Sequence, residues 1–334
     1  MKKVLQNINR PHWSGLAERA SKIENGYLSL DRNENLDEIY RSKIVEILKH
    51  KIDLSRFYQY ADYYKYYNQM SDFLSISTDN MLITGGCDEA IRLAFEAILH
   101  KNNYLRINPT YRGADCNAAD LEVTHYVVDE DEDNIITAIK RYKPALFYIC
   151  SPNNPTGKVY SKFFIETLCK TFPDTYIFID NTYTDYTDIC YHKILTYKNC
   201  LIAKSFSKIW GLAGMRMGLL LGHQETINNI TKIRPIMSVS AITLELVYYL
   251  INNYSIVENT IIRNKDGINF IYKYFSKCNI YSEPYINHII FDPPDSLVNK
   301  LNSQKILYPT MKDFSDKAIK LTTMPTDQCL NIFK

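Results

Sequence analysis

The sequence predicts an α/β protein built on a mainly parallel sheet with helices on both faces, together with a smaller α+β domain. Short apolar runs alternate with helical patterns over residues 81–221, which is typical of parallel strands joined by crossover helices. The 334 residues are 46% hydrophobic, which is enough to bury a large core and favours two packed domains. We expect a large domain over residues 37–250 and a small domain made of residues 1–36 and 251–334.

Apolar spacing and turn residues predict the individual elements. Apolar side chains recur with helical spacing over residues 36–54, and glycine, proline or charged clusters follow most apolar runs. The predicted strands are 27–30, 81–84, 104–107, 122–128, 145–150, 176–179, 201–203, 218–221, 288–291 and 318–322. The predicted helices are 36–54, 90–99, 112–120, 134–142, 161–171 and 251–275, the last with a candidate break near Gly267.

Charge and cysteine content exclude several classes of protein. The 39 basic and 37 acidic residues are interspersed and give a net charge of +2, so nothing indicates a nucleic-acid or membrane partner. Two lysines near the start lack an apolar stretch behind them, and we therefore expect no signal peptide. The eight cysteines form no C-x-x-C pair, which favours reduced thiols in a cytoplasmic protein and argues against a metal site.

Polar clusters follow five of the predicted strands at the point where each strand ends. The carboxyl ends of parallel strands meet at one edge of a sheet, where ligands gather, so these clusters predict a binding site. In one of them, Gly85 and Gly86 precede a helix, which is typical of an anion site at a helix N-terminus. The clusters are residues 85–89, 108–111, 151–157, 180–183 and 205–208.

The cluster around Lys208 combines groups that suit one particular cofactor. Ser205 and Ser207 flank the lysine, and Arg216 follows eight residues later in the stretch SFSKIWGLAGMRMG. Burial favours the neutral amine of a lysine, which can form a Schiff base with an aldehyde. Hydroxyls and a guanidinium suit a phosphate dianion. Pyridoxal 5′-phosphate carries both an aldehyde and a phosphate, whereas the alternative is a solvated lysine in a surface loop.

Two further strand ends carry groups for the same site. Asp180 follows the apolar strand 176–179, where its carboxylate is poised for burial; the alternative is a helix cap or a turn aspartate. The loop SPNNPTG at residues 151–157 contains two prolines and a glycine, which make it rigid. Its two asparagines offer amide donors at a fixed position.

The order and spacing of these motifs resemble one enzyme family. SPNNPTG and SFSKIWGLAGMRMG are the strongest signatures, while LDRNEN at 30–35 and IKLTTMPTDQ at 319–328 extend the resemblance over nearly the whole chain. The chain resembles the fold-type I pyridoxal-phosphate enzymes, and most of all the class I/II aminotransferases of the histidinol-phosphate aminotransferase branch. The resemblance implies the PLP-dependent transferase fold type I, with pyridoxal 5′-phosphate as the cofactor.

The resemblance implies three catalytic residues. Lys208 would form the Schiff base with the cofactor and carry the proton between substrate and cofactor. Asp180 would pair with the ring nitrogen and keep it protonated, which makes the ring an electron sink. Tyr183 would donate to the phenolic oxygen of the cofactor together with Asn154, and Tyr111 would stack on the ring.

The resemblance also implies how the cofactor phosphate is bound. The implied phosphate ligands are Ser205, Ser207, Arg216 and the backbone at Cys87 and Asp88. Tyr60 would reach the phosphate of the neighbouring subunit, since the sites of this family are built across a homodimer. The alternative for Tyr60 is a packed aromatic face, because Tyr60, Tyr64 and Tyr67 have helical spacing.

Two positions depart from the family pattern on the substrate side. Lys320 stands where the family has an arginine that grips the substrate carboxylate, and lysine offers a point charge instead of a planar fork. Tyr308 stands where the histidinol-phosphate enzymes have a phosphate-binding arginine. We predict that Lys320, Asn154 and Tyr308 contact the substrate and that histidinol phosphate is not that substrate. The alternative is a shifted alignment in which Arg112 or Arg32 holds the anion.

These features predict an aminotransferase that moves an amino group from an amino-acid donor, with glutamate as the first candidate, to a small keto compound. We expect that compound to be a phosphorylated or otherwise polar metabolite of a biosynthetic pathway. The alternative is an amino-acid or phospho-amino-acid decarboxylase of the threonine-phosphate decarboxylase type, because a changed carboxylate grip changes which bond stands perpendicular to the ring. A non-catalytic amine sensor is disfavoured, since Lys208, Asp180 and Arg216 are all present.

Overall fold

The computed structural model describes residues 16–99 and 101–333. The first fifteen residues of the predicted N-terminal arm lie outside the described residues. The helices are α1 Ala17–Glu24, α2 Glu38–His50, α3 Tyr63–Leu74, α4 Cys87–Ile98, α5 Gly113–Ala118, α6 Glu132–Tyr142, α7 Lys162–Thr171, α8 Gln224–Thr231, α9 Ala241–Asn252, α10 Ser255–Tyr274, α11 Asp295–Ser303 and α12 Thr326–Phe333. The strands are β1 Leu28–Ser29, β2 Met81–Thr84, β3 Asn103–Ile107, β4 Thr124–Val128, β5 Leu146–Cys150, β6 Tyr176–Asp180, β7 Cys200–Ser205, β8 Gly218–Gly222, β9 His288–Phe291, β10 Ile306–Leu307 and β11 Ile319–Thr322.

Seven strands form the central sheet in the order β2-β8-β7-β6-β5-β3-β4. The strands from β7 to β4 in that order pair in parallel, and β8 runs antiparallel between β2 and β7. The predicted mainly parallel sheet is therefore confirmed. The ends of β2, β3, β5, β6 and β7 lie at the same edge, because those five strands run in one direction.

Both faces of the sheet are buried. Along β5, Phe147 and Ile149 belong to one hydrophobic cluster, whereas Leu146 and Tyr148 belong to another. Side chains alternate between the faces of a strand, so these two clusters are the cores above and below the sheet. Helices α6 and α7 contribute to the first cluster and α4 and α5 to the second, which confirms helices on both faces.

The C-terminal part of the chain builds a third hydrophobic cluster around Ile289, Phe291 and Leu321. Strands β9 and β11 pair antiparallel, and β1 pairs in parallel with β10, so the N-terminal segment joins this part of the fold. The smaller α+β unit expected from the sequence is present, while its predicted boundaries stay a prediction. None of the helices in the described part of the chain is both long and apolar enough to cross a bilayer.

The predicted break near Gly267 is wrong. The chain interrupts the predicted helix at Asn253 and Tyr254, between α9 and α10, and Gly267 lies within α10. A Cβ atom at Gly267 would stand 1.9 Å from the carbonyl oxygen of Met324. The glycine therefore permits close packing of α10 against the segment before α12, a requirement that sequence spacing does not reveal.

Candidate active site

A cavity of about 400 Å³ opens at the carboxyl edge of the central sheet. Polar clusters from the ends of β2, β3, β5, β6 and β7 meet there, together with residues 32 and 34 from the segment after β1. The structure brings together ten of the residues predicted for the cofactor: Cys87, Asp88, Tyr111, Asn154, Asp180, Tyr183, Ser205, Ser207, Lys208 and Arg216.

Lys208 lies in the turn that follows β7, and its amine points into this cavity. Its Nζ donates to the carbonyl oxygen of Arg32 at 3.2 Å and lies 5.7 Å from the centre of the Tyr183 ring. Burial lowers the pKa of the Lys208 ammonium, and the carboxylates of Glu34 and Asp180 oppose that effect. The neutral, nucleophilic form of the amine is therefore populated at a lower pH here than in water.

Asp180 is the last residue of β6 and is only 3% exposed. Its Oδ2 accepts from the Tyr148 hydroxyl at 2.6 Å, and its Oδ1 accepts from the backbone N–H of Thr182 at 3.1 Å. Burial raises the pKa of Asp180, and these hydrogen bonds oppose the rise. A buried carboxylate in this state is well suited to a cationic nitrogen on a ligand.

Arg216 stands at the N-terminus of α4. This helix begins after Gly86, has no side-chain cap and therefore leaves backbone N–H groups free at its first turn. Gly86 has φ +92°, and a Cβ there would lie 2.6 Å from the Arg216 Nη2. The guanidinium donates to the carbonyl oxygen of Ala213 at 3.0 Å. With the hydroxyls of Ser205 and Ser207 lining the same cavity, the cradle suits a dianion.

Two tyrosines form the walls of the cavity. The Tyr183 hydroxyl accepts from Asn33 Nδ2 at 2.9 Å, and Tyr111 donates to Asp88 Oδ1 at 2.8 Å. Burial raises the pKa of both phenols, so both stay protonated and can donate. Asn154 lines this cavity and also the next one.

A second cavity of about 440 Å³ shares Tyr111 and Asn154 with the first. Lys320, on β11, lines it, and within the described part of the chain its ammonium has no hydrogen-bond or ion-pair partner. Burial, with the positive charge of Lys208 as a second cause, lowers the pKa of Lys320 to about 8. Arg112 lines the same cavity and forms an ion pair with Asp313 at 2.9 Å.

The structure does not bring two of the predicted residues to these cavities. Tyr308 lines a separate groove beside Arg19 and Asp31, and its hydroxyl donates to Asn302 Oδ1 at 2.9 Å. Tyr60 is 86% exposed, so its side chain does not form part of the cavity of its own chain.

Four residues near the site were missed by reasoning from the sequence. Asn33 and Glu34 lie within the LDRNEN motif, in which the sequence suggests a role for Arg32 alone. Thr182 follows Asp180 directly, so its place at a strand end was a usable signal. Tyr148 sits within an apolar run, and nothing in its local sequence marks the contact with Asp180.

The model of the family described as aminotransferase class I and II matches residues 25–286. The chain belongs to the class I and II aminotransferases. The predicted family is confirmed, and with it a transaminase that uses pyridoxal 5′-phosphate.

The chain is similar over most of its length to other known proteins, by sequence or by structure. The histidinol-phosphate aminotransferase of Leptospira interrogans is 25% identical over 324 residues, covering 89% of this chain and 86% of that protein. The crystal structure of the histidinol-phosphate aminotransferase from Sinorhizobium meliloti in complex with pyridoxal-5′-phosphate has a TM-score of 0.81 at 17% identity, covering 98% and 93% of the two chains. The structure of L-threonine-O-3-phosphate decarboxylase from Porphyromonas gingivalis has a TM-score of 0.74 at 16% identity, covering 90% and 95%. These structures share the fold.

The cavity of this aminotransferase fits the cofactor of its family. The uncapped N-terminus of α4 with Arg216 offers donors for a phosphate dianion. Lys208, with its lowered pKa, offers an amine for the aldehyde, and the buried Asp180 offers a counter-charge for a protonated ring nitrogen. All three of these side chains line the same cavity of about 400 Å³.

Proposed function

We propose that this enzyme transfers an amino group from an amino-acid donor, with glutamate as the first candidate, to a small keto compound that carries a further anionic group. The observation that carries the proposal is one cavity lined by Lys208, Asp180 and Arg216. An amine with a lowered pKa, a buried carboxylate and an anion cradle are the parts that transamination with this cofactor needs.

Pyridoxal 5′-phosphate supplies an aldehyde that accepts amines and a ring that takes up electron density. In our proposal, Lys208 attaches the cofactor and later moves a proton with its Nζ. Asp180 keeps the ring nitrogen protonated through its buried carboxylate. Tyr183 and Asn154 donate to the phenolic oxygen, and Tyr111 covers the ring.

In this proposal the cofactor phosphate is bound by side chains that end β7 or lie between β7 and β8, and by backbone groups at the N-terminus of α4. Hydrogen bonds to an ionised acceptor are the stronger kind, and a helix start adds its dipole. Supporting this assignment, all the groups concerned line the cavity beside the start of α4. They are Ser205, Ser207, Arg216 and the backbone N–H groups of Cys87 and Asp88.

The charges that line the second cavity favour an anionic substrate. Three cationic side chains line it, Lys320, Arg112 and Lys312, with Asp313 as the carboxylate among them. We propose that Lys320 holds the substrate carboxylate and that Arg112 and Lys312 attract a second anionic group, such as a phosphate. Tyr308 lies in another groove, which gives no support to its predicted contact. Histidinol phosphate remains, in our proposal, a poor substrate.

The cofactor assignment is tested by spectroscopy. Wild-type protein reconstituted with pyridoxal 5′-phosphate should be yellow, and Lys208→Ala should lose the absorption band of the attached cofactor. Lys198→Ala is the matched control, because that lysine is exposed and paired with Glu225 outside the cavity. A colourless wild-type protein would contradict the proposal. A screen of amino donors, followed by keto acceptors with and without phosphate, then identifies the substrates.

A decarboxylase of phospho-amino acids is the second candidate function. The observation that favours it is the position of Lys320 in the second cavity. A lysine would hold a substrate carboxylate as a point charge, which leaves the orientation of the substrate free to differ. Incubation with candidate amino acids separates the two reactions. Conversion of the bound cofactor to its amine form with release of a keto acid supports transamination, whereas release of carbon dioxide supports decarboxylation.

We further propose a homodimer with shared active sites. Tyr60, Tyr64 and Ile236 are 86%, 75% and 81% exposed, and the segments that carry them adjoin where Tyr63 bonds the backbone of Val239. Exposed apolar surface of this kind is typical of an interface. Mixing inactive Lys208→Ala and Tyr60→Phe subunits should restore activity, since each hybrid dimer contains one site with both residues intact. No recovery after subunit exchange would contradict shared sites.

The location that we propose is the cytoplasm. All eight cysteines lie in the described ranges and are free thiols. Free thiols persist in reducing compartments. Fractionation of cells that carry a tagged copy tests the location, and recovery from an oxidising compartment would contradict it.

A further inference from the structure

The turn at residues 31–35, from the segment after β1, contacts the proposed catalytic groups. The Arg32 carbonyl oxygen accepts from Lys208 Nζ at 3.2 Å, and Asn33 Nδ2 donates to the Tyr183 hydroxyl at 2.9 Å. Asn35 Nδ2 donates at 2.7 Å to the carbonyl oxygen of Ile209, the residue after Lys208. Three residues of one turn therefore contact the amine, the phenol and the backbone beside the amine.

Asn33 is fixed more firmly than a turn residue needs to be. It is 2% exposed and has φ +57°, a left-handed conformation that asparagine tolerates. Its backbone N–H donates to Thr322 Oγ1 at 3.0 Å, and its carbonyl oxygen accepts from Asn287 Nδ2 at 2.9 Å. Both main-chain groups of Asn33 are thus held by the segments around β9 and β11, so the amide is held rigidly against Tyr183.

The donor direction of this contact decides what Tyr183 can do. A phenol that accepts a hydrogen bond from an amide keeps its own proton free to donate elsewhere. Because Tyr183 lines the cavity, that proton is available to a ligand there. The Asn33 contact also works against the burial that raises the pKa of Tyr183.

We propose that Asn33 is a positioning residue of the transamination, holding the Tyr183 hydroxyl so that it donates into the cavity while the neighbouring Arg32 carbonyl aims the Lys208 amine. This inference rests on the proposed function, because it assigns Tyr183 as a donor to the phenolic oxygen of the cofactor. Asn33 acts through Tyr183 and does not touch the reacting atoms.

Other groups that face Tyr183 must stay constant in any test. The ring lies 6.4 Å from the His288 ring and 6.2 Å from the Tyr186 ring, and 5.7 Å from the Lys208 ammonium. The Asp180 carboxylate also acts on the pKa of Tyr183 through its charge. All of these residues are unchanged in the variants described next.

The test compares Asn33→Gly with wild type in holoenzyme reconstituted with pyridoxal 5′-phosphate. Glycine keeps the left-handed backbone and removes the amide. A donor near the phenolic oxygen favours loss of the proton from the Lys208-bound cofactor, so misplacing the Tyr183 donor by removing the Asn33 amide raises the pH at which the absorption changes. We expect a rise of about 0.5 to 1 pH unit, which corresponds to about 0.7–1.4 kcal/mol. In a Tyr183→Phe background, Asn33→Gly should cause no further rise.

Every outcome of this titration decides the question. An unchanged or lowered midpoint in Asn33→Gly, or an equal rise in the Tyr183→Phe background, overturns the proposal. Unbound cofactor is removed before the titration, so that the absorption reports on molecules that hold cofactor and partial unfolding does not mask the shift. If Asn33→Gly binds no cofactor, Asn33→Asp replaces it, and the rise must then be larger with Tyr183 than with phenylalanine. A wild-type protein without any cofactor band would instead contradict the proposed function itself.

Discussion

Removing the Tyr148 hydroxyl isolates the interaction that supports the buried Asp180. Tyr148 is fully buried on β5, and its hydroxyl donates to Asp180 Oδ2 at 2.6 Å. The substitution Tyr148→Phe keeps the ring and its packing against Phe178, so that only the hydrogen bond is lost. The second oxygen of Asp180 keeps its bond from the Thr182 N–H.

The size of the effect depends on the charge of Asp180. A hydrogen bond to a charged group contributes about 1.5–3 kcal/mol and one between neutral groups about 0.5–1.5 kcal/mol. The difference, about 1–1.5 kcal/mol, is equivalent to raising the pKa of Asp180 by about one further unit.

The sign of the pH dependence follows from that pKa. Burial already raises the pKa of Asp180 above its value in the unfolded chain, so the folded protein binds this proton more tightly. The contribution of Asp180 to stability is therefore greatest below the unfolded pKa and falls as the pH rises through the folded pKa. Because Tyr148→Phe raises the folded pKa further, its deficit against wild type should grow over that rise in pH.

Urea unfolding of the cofactor-free protein at several pH values measures this deficit. Tyr104→Phe on the neighbouring strand is the matched control, because the Tyr104 hydroxyl is fully buried and has no hydrogen-bond partner among the residues that the structure describes. Removing it should cost little or stabilise the protein. The reasoning is refuted if Tyr148→Phe is as stable as wild type at pH 8, or if Tyr104→Phe destabilises it equally.

Two further predictions concern the substrate side and the C-terminal packing. The Lys320 ammonium has a pKa of about 8 and loses its charge as the pH rises, so KM for a carboxylate substrate should rise about tenfold by pH 9. In Lys320→Arg, KM should stay constant over the same pH range, because arginine keeps its charge. Parallel plots of KM against pH for the two proteins would show that Lys320 does not bind the carboxylate. Gly267→Ala places a Cβ atom 1.9 Å from the Met324 carbonyl oxygen and should lower the free energy of unfolding by about 1–3 kcal/mol or more. Gly214→Ala is the control, because no described atom lies within 4 Å of the added Cβ, and equal melting temperatures of the two variants would contradict this packing argument.

Much of the fold could be predicted from the spacing of apolar residues along the sequence. The apolar run at β5 and the turn after it predicted a buried parallel strand, because both of its faces are covered. The interruption was predicted near Gly267 and lies between α9 and α10 instead. A glycine can stand inside a continuous helix where a neighbouring segment needs its small volume. Gly267 is required by Met324, which is 57 residues away in the sequence and in contact only after folding.

The cofactor half of the site could also be predicted. Lys208, Asp180 and Arg216 stand in strand-end motifs, and the topology brings them to one edge. The hydrogen bonds that hold the site residues in place were not predictable. Tyr148 bonds Asp180 from the neighbouring strand, and Asn33 bonds Tyr183 from the segment after β1. Contacts of that kind leave no local spacing to recognise.

The sequence by itself determined the fold class and the cofactor, and it placed the residues that we propose to bind the cofactor at the ends of strands that share one edge of the sheet. The tertiary structure alone decided which groups support them. Asn33 lies 150 residues before Tyr183, and their contact exists because the segment after β1 joins the C-terminal part of the fold. It also separated Lys320, which lines a cavity beside the site, from Tyr308, which lines another groove. Side-chain direction on neighbouring short strands depends on pairing and register, and these are settled only when the chain is folded.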